Sequence, residues 1–396
     1  MTRGTPFQID ARAGTARAGV LRTAHGEVRT PAFIPLATTG VVKTLHAAEV
    51  AALGFELVLG NTFHLFVQPG HEHVAEMGGL HEFMGWRRAI VTDSGGYQVF
   101  SMGHGSVADE IKRRRDPRES MILSIDEDGV RFRSYLDGAE RFMGPETSMA
   151  AQAALGSDLA LAFDECTPFH ADRDYTARAA GRTHRWLDRS IAWHRDHAPP
   201  EQLLFGIVQG GVYEDLREES ARRVAAAGVD GVAIGGSLGR EKDEMRQVVE
   251  WSLRGLPEER PRHLLGIGDV DDILHAVGMG IDLFDCATPT RLARHGTALV
   301  ADPHSRWRLD LAKPAARGSR QPVAEGCPCP ACRGHTRGYL HYLLRAGEPT
   351  GARLLTLHNL TFMAALMREI RDSVRQGTFD DHAARVLAGA APLSAG

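Results

Sequence analysis

Lysine is scarce in this chain: only four of its 46 basic residues are lysines (Lys43, Lys112, Lys242 and Lys313). That bias reads as genomic base composition and carries little mechanism. Cysteine is scarce too. There are five in 396 residues, three of them within six positions, which makes no disulfide framework and indicates a reducing compartment. No apolar run reaches the length of a membrane span, and the first residues (MTRGTPFQIDARAG) lack the apolar core of a secretory signal. The expected location is cytoplasmic, with no membrane partner. There is no internal repeat, and no low-complexity tract beyond alanine-rich helices and the terminal AGAAPLSAG, which is expected to be disordered. What is present, 43% hydrophobic and 24% charged residues, is an ordinary globular composition that excludes collagen, coiled coil and intrinsic disorder.

Short apolar runs recur along the chain, most of them ending in Gly, Asn, Asp or Thr. They are Phe33–Ala37, Glu56–Leu59, Ala89–Thr92, Leu159–Phe163, Leu203–Val208, Val232–Ile234, His263–Ile267 and Ile281–Phe284. Between several of them lie segments with apolar or alanine positions at helical spacing: Met149–Leu155, Arg173–His197, Glu214–Ala227 and Glu241–Leu253. Buried runs alternating with helices indicate a parallel sheet, and eight of them predict an α/β fold of the (β/α)8 TIM-barrel type. The alternative is an open doubly wound sheet, but no Gly-x-Gly-x-x-Gly follows the first run.

Two insertions break the rhythm. A Gly-rich, basic stretch follows Ser101. Next, Met121–Leu136 alternates around a turn at Asp126–Gly129 and predicts a β-hairpin. The second insertion, about 301–336, is rich in Pro, Gly and Arg and holds Cys327, Cys329 and Cys332. Three thiolates this close suit a tetrahedral structural zinc that needs one more ligand. Spacing leaves His335, His341 and His358 open, with His335 nearest and His358 able to tie the loop to the last helical stretch, Thr361–Val374. Helical periodicity returns there.

The strand ends of a parallel barrel form its active site. Here they carry Asn61, Asp93-Ser94-Gly95-Gly96-Tyr97, Asp164-Glu165, Gln209-Gly210-Gly211, Gly235-Gly236, Gly266-Ile267-Gly268-Asp269 and Asp285. Several carboxylates on one mouth supply a nucleophile and an acid/base. Glycines let backbone groups approach a flat ligand, so the set suits a planar heterocycle such as a purine. A lone Asp at a strand end is usually a helix cap, and Gly-Gly is usually a turn; six such ends together argue for a site. Charge adds a further pointer. From Arg291 to Arg345 ten basic residues face three acidic ones, a local +7 in a chain of net −4, which suggests a polyanionic partner.

The stretches Thr92–Ser101 (TDSGGYQVFS), Phe163–Phe169 (FDECTPF), Gly206–Gly211 (GIVQGG), Leu264–Leu274 (LLGIGDVDDIL) and Phe284–Gly296 (FDCATPTRLARHG), with CPCPAC and a later LHN, resemble the tRNA-guanine transglycosylases. The similarity runs over nearly the whole chain. It implies a (β/α)8 barrel with the inserted hairpin and a C-terminal zinc-binding subdomain. The division would be 1–304 for the barrel, with the insertion at about 111–143, then 305–358 for the zinc subdomain and 359–396 for the last barrel helix and tail.

The reaction implied is exchange of the wobble guanine of GUN-anticodon tRNAs (Asp, Asn, His, Tyr) for 7-aminomethyl-7-deazaguanine, in queuosine biosynthesis. By the matching motifs, Asp285 is the nucleophile on ribose C1′ and Asp93 the general acid/base. Ser94, Gly95, Gly96, Tyr97, Asp164, Gln209, Gly235, Gly236 and Leu265 form the base pocket. Gly266, Asp269, Asp272, Thr290, Arg291 and Arg294 contact RNA. The LHN motif selects His358 as fourth zinc ligand beside Cys327, Cys329 and Cys332, one structural Zn2+ per chain, and bacterial relatives imply a homodimer. Residues alone do not order the roles of Asp93 and Asp285; only the resemblance does.

One departure stands out. Where bacterial members carry Gly-Gly-Leu-Ala-Val-Gly-Glu, this chain has Gly235-Gly236-Ser237-Leu238-Gly239-Arg240-Glu241. Gly239 in place of valine suggests a roomier pocket and direct queuine insertion as an alternative, although Cys166 is of the bacterial type. A non-catalytic tRNA-binding subunit is a second alternative, opposed by the intact Asp93 and Asp285 motifs. A paralogue acting on DNA or on another tRNA position, and a plain glycoside hydrolase, fit the zinc and basic segments less well.

Overall fold

Runs of Val, Ile, Leu and Ala that are apolar on both faces pair as parallel strands, because each face has its own core to enter. The computed structural model describes residues 6–104, 121–168 and 170–392. Three antiparallel strands come first: β1 (Phe7–Ala13), β2 (Ala16–Thr23) and β3 (Gly26–Thr30). The barrel opens with β4 (Ala32–Ile34) and β5 (Leu36–Ala37), one run interrupted at Pro35, then β6 (Leu57–Gly60) and β7 (Ala89–Thr92). An inserted sheet follows, with β8 (Ile122–Ile125), β9 (Val130–Arg133) and β10 (Glu140–Met143). The barrel resumes with β11 (Leu159–Leu161), β12 (Leu203–Val208), β13 (Gly231–Ile234), β14 (Arg262–Leu264) and β15 (Leu283–Asp285).

The parallel order β4-β15-β14-β13-β12-β11-β7-β6-β5 returns to its own first run, so the eight expected strands close into a barrel. The hairpin expected at Met121–Leu136 forms as β8 and β9, and β10 extends it to a three-stranded sheet. The polar sequence of β10 (ERFM) hides that strand from an alternation test. Residues 105–120 of the basic insertion, Phe169 and the last four residues of the tail lie outside the described residues. Gly389 and Ala390 of that tail still donate to the preceding helix end.

Side-chain parity divides the core. Leu57, Leu59, Val91, Leu159, Leu161, Phe205, Ile207, Ala233 and Leu283 point inward, joined by Phe7, Leu21 and Val28 from the N-terminal sheet. Val58, Ile90, Phe284 and Leu264 point outward onto the helices. The N-terminal sheet thus plugs the lower end. It is tied there by Arg17, whose guanidinium donates to both oxygens of buried Asp282. The helix Arg173–His197 buries Thr176, Ala179, Ala180, Thr183, Trp186, Leu187 and Ser190, one stripe at spacings of three and four.

After the barrel, β16 (Thr297–Leu299) and β17 (Arg308–Asp310) pair antiparallel beside the cysteine loop. One unbroken helix, Pro349–Arg375, then runs from the metal cluster to the barrel wall, so the expected division at 358/359 falls inside it. No helix among the described residues is long and apolar enough to cross a membrane.

Candidate active site and metal centre

The side chains at the strand ends converge because equivalent register positions of neighbouring parallel strands lie side by side. Asp93, just after β7, is gripped by N–H groups. Thr62 N donates to Oδ1 at 2.9 Å and Gly95 N at 3.2 Å, while Asn61 Nδ2 donates to Oδ2. Burial pushes its carboxyl up to about 7, and the nearby Asp285 and Asp164 push the same way against those N–H groups. A carboxyl poised near neutrality gives and takes protons with little cost.

Asp164 lies beside it, 5% exposed, accepting from Ser94 Oγ at 2.7 Å and from Gln209 Nε2 at 2.6 Å. Burial raises its carboxyl above the ordinary range despite those donors. Gln209 Oε1 is buried without a partner among the described residues, which leaves an acceptor unspent in the pocket wall. It is also the reason for Gly236: at φ +82°, a Cβ there would stand 2.2 Å from that oxygen. Gly235 and Leu265 complete the wall, Leu265 N donating to Ile234 O at 3.1 Å. Tyr97, a flat ring of the kind that stacks on a base, is 45% exposed at the mouth.

Asp285 ends β15 on the inward-facing parity of Leu283. Its Oδ1 receives His263 Nε2 at 3.0 Å and Gly266 N at 3.2 Å. The sequence reading did not single out His263, although a histidine on the inward face of a barrel strand is a visible signal. It also missed Arg217. That guanidinium is fully buried and donates to Gly211 O, Val208 O, Gly235 O and Ser237 O at 2.7 to 3.2 Å, clamping the two loops that carry Gln209 and Gly236. Burial, with no carboxylate partner among the described residues, lowers it to about 10.

The expected RNA-facing residues divide in two. Arg291 is exposed on the short helix Thr288–Arg294 that directly follows Asp285, and Arg294 keeps a buried Nη1 with no partner among the described residues. Gly266 is exposed. Asp269 is paired with Arg308, Asp272 is buried against Lys242, and Thr290 spends its hydroxyl on Ala287 O. Each of these last three thus has a partner within the protein.

Cys327, Cys329, Cys332 and His358 bring four ligand atoms within 4.8 Å of one another. The three sulfurs stand 3.3 to 3.6 Å from His358 Nδ1. Tetrahedral zinc, with Zn–S of about 2.3 Å and Zn–N of about 2.1 Å, places them about 3.6 Å apart. His358 Nε2 meanwhile reaches Leu299 O at 2.8 Å, which fixes the tautomer that leaves Nδ1 free to bind metal. The other two candidates sit elsewhere. His335 stacks on Tyr339, and His341 Nδ1 bonds Leu311 O. The neighbouring Asn359 donates to Pro289 O and Thr297 O, so the metal-bearing helix also holds the helix that presents Arg291 and Arg294.

Comparison with known proteins shows one family over nearly the whole chain. The family model described as queuine tRNA-ribosyltransferase matches residues 11–391. The chain belongs to that family. A queuine tRNA-ribosyltransferase of Roseiflexus sp. (strain RS-1) is 49% identical over 386 residues, covering 94% of this chain and 96% of the relative. Those of Thermus thermophilus and Symbiobacterium thermophilum are 45% and 44% identical, covering 95% and 93% of this chain and 92% and 87% of the relatives. The chain is therefore that of an enzyme, a transferase of the tRNA-guanine transglycosylase type, with a barrel fold and a cluster fit for zinc.

Proposed function

We propose that this enzyme replaces the wobble guanine of GUN-anticodon tRNAs with 7-aminomethyl-7-deazaguanine through a covalent link between Asp285 and the ribose. The observation that carries the reading is the pair of carboxyl groups on one rim, unlike in environment. Asp93 is poised near neutrality, while Asp285 has one oxygen tied down and the other uncommitted among the described residues. Exchange needs the nucleotide turned out of its stack into the pocket of Tyr97, Asp164, Gln209 and Gly235–Gly236. Asp285 attacks C1′ as the C1′–N9 electron pair leaves with guanine. Asp93 manages the proton on the departing base and takes one from the incoming base, whose nitrogen displaces Asp285. Breaking one glycosidic bond and making another needs no nucleotide triphosphate.

Zinc at Cys327, Cys329, Cys332 and His358 would be structural, holding the loop to the long helix with no open position for chemistry. Arg291 and Arg294 track the anticodon backbone. A cytoplasmic location and a homodimer are part of the reading; exposed Tyr339 and Tyr342 beside His335 offer aromatic surface on the zinc subdomain for the latter.

The queuine alternative rested on Gly239, and the structure accounts for that glycine differently. It sits at φ +104°, and a Cβ there would stand 2.6 Å from Glu244 Cγ, whose carboxylate accepts Arg240 N at 2.7 Å. The positive φ of this turn is a second reason for the glycine, and the width of the pocket is left to the choice of incoming base.

The test is to give the enzyme unmodified GUN tRNA with guanine, 7-aminomethyl-7-deazaguanine or queuine, and read the wobble base by mass spectrometry. Entry of the aminomethyl base is expected, together with a denaturation-resistant tRNA adduct that persists in part in Asp93→Asn and vanishes in Asp285→Asn. Preferred queuine entry would restore the salvage reading. Failure of any base to enter would leave a non-catalytic tRNA binder, and an adduct surviving in Asp285→Asn would reverse the two roles.

A further inference from the structure

His263 lies on β14, level with Leu283, so its ring enters the barrel interior one layer below Asp285. It is buried completely. Nε2 stands 3.0 Å from Asp285 Oδ1, and Nδ1 is sealed from solvent with no partner among the described residues. Two facts about the hydrogen-bond inventory follow. The proton must sit on Nε2, because a bare Nε2 would set its lone pair against a carboxylate oxygen, and a proton on Nδ1 would be stranded in the barrel. Both donors to Asp285, His263 Nε2–H and Gly266 N–H, fall on Oδ1; among the described residues none falls on Oδ2.

We infer that His263 is a positioning residue that makes Oδ2 the attacking oxygen of Asp285 and favours breakdown of the covalent intermediate. The inference rests on the reading of Asp285 as nucleophile. In the first half-reaction an Oδ2 lone pair forms the bond to C1′ as the C1′–N9 pair departs with guanine, and Oδ1 becomes the carbonyl oxygen of an ester. In the second, the incoming nitrogen bonds C1′, the C1′–Oδ2 pair returns to the carboxylate, and negative charge reappears across both oxygens. A hydrogen bond to a charged oxygen is stronger than one to an ester carbonyl. The His263 donor therefore weakens as Asp285 attacks and regains strength as Asp285 leaves, which raises the barrier of the first half-reaction and lowers that of the second, the step expected to limit turnover.

The experiment compares wild type with His263→Gln, His263→Asn and His263→Met in steady-state exchange on unmodified GUN tRNA, and measures the fraction of enzyme held as adduct in quenched turnover. A Gln amide nitrogen reaches about where Nε2 stands; an Asn amide falls short and Met has no donor. Thermal melting and zinc content verify that each variant is folded. Losing one donor to a charged oxygen predicts a fall in kcat of about 10- to 100-fold in Asn and Met. KM for tRNA should stay constant and the adduct fraction should rise, with Gln within a few-fold of wild type. The inference is overturned if the folded Met or Asn variant keeps wild-type kcat, if Gln is as impaired as Asn, or if the adduct fraction drops together with kcat. Absence of adduct in the wild type itself would instead refute the covalent reading, so the two failures are distinguishable.

Discussion

Replacing Asp93 by Asn tests whether this carboxyl is held near neutrality by burial. In the folded protein it keeps its proton up to about pH 7, whereas the ordinary value is 3.8. Between those values the folded state binds more protons than the unfolded chain, so this group's contribution is fully present below about pH 4 and is lost as pH rises through 7. From pH 5 to pH 8 about two pK units of the difference are released, a ceiling of about 3 kcal/mol. Solvent reaching the rim screens part of this, and about 1.5 kcal/mol is a fair expectation.

Asparagine removes that dependence and adds a cost of its own. Its amide can still accept from Thr62 N and Gly95 N, but its NH2 then faces the donors Asn61 Nδ2 and Gln98 Nε2. Asn61 cannot turn over freely, because its Oδ1 caps the following helix at His64 N. That mismatch costs about 1–2 kcal/mol at every pH. Urea midpoints should therefore show the variant less stable at pH 5, with the gap closing by pH 8, while base exchange falls at least about 100-fold. A gap constant with pH would refute the assignment of a raised carboxyl to Asp93.

Arg217→Met should destabilise the fold by about 3 kcal/mol or more, since it strands four buried carbonyl bonds, and in any folded fraction should raise KM for the incoming base before KM for tRNA; calorimetry and base titration check both. Arg294→Ala should weaken tRNA binding uniformly across GUN sequences and shallow the slope of log K against log salt by about one unit, read by filter binding at several salt concentrations. Cys329→Ala should bring metal content to near zero by elemental analysis and, through His358 and Asn359, weaken tRNA binding; base binding in the barrel, followed by calorimetry, should change little.

Much of this protein was legible in its sequence because the relevant signals are local. Each barrel strand announces itself by its own apolar run and the small or polar residue that ends it, and all eight runs became strands of one closed sheet. The three cysteines carry their chemistry in their spacing, and Asp93, Asp164 and Asp285 are conspicuous because each stands at a strand end. Strand β10 escaped because ERFM lacks a clean alternation, and the N-terminal sheet escaped because its burial is decided by the barrel it plugs.

Tertiary structure decided what depends on two distant segments meeting. Spacing left three histidines open; packing of the helix Pro349–Arg375 against the cysteine loop brings His358 Nδ1 to the sulfurs and aims Nε2 at Leu299 O. Strand register sets His263 under Asp285, and among the described residues burial leaves Arg217 bound to backbone carbonyls alone. The upward displacement of the Asp93 carboxyl is likewise absent from its neighbours in sequence, because it arises from burial and from Asp285, 192 positions away. Local pattern determines which element forms and which chemistry is on offer. The closure of the barrel determines which groups touch, and hence which oxygen is free and which proton is poised.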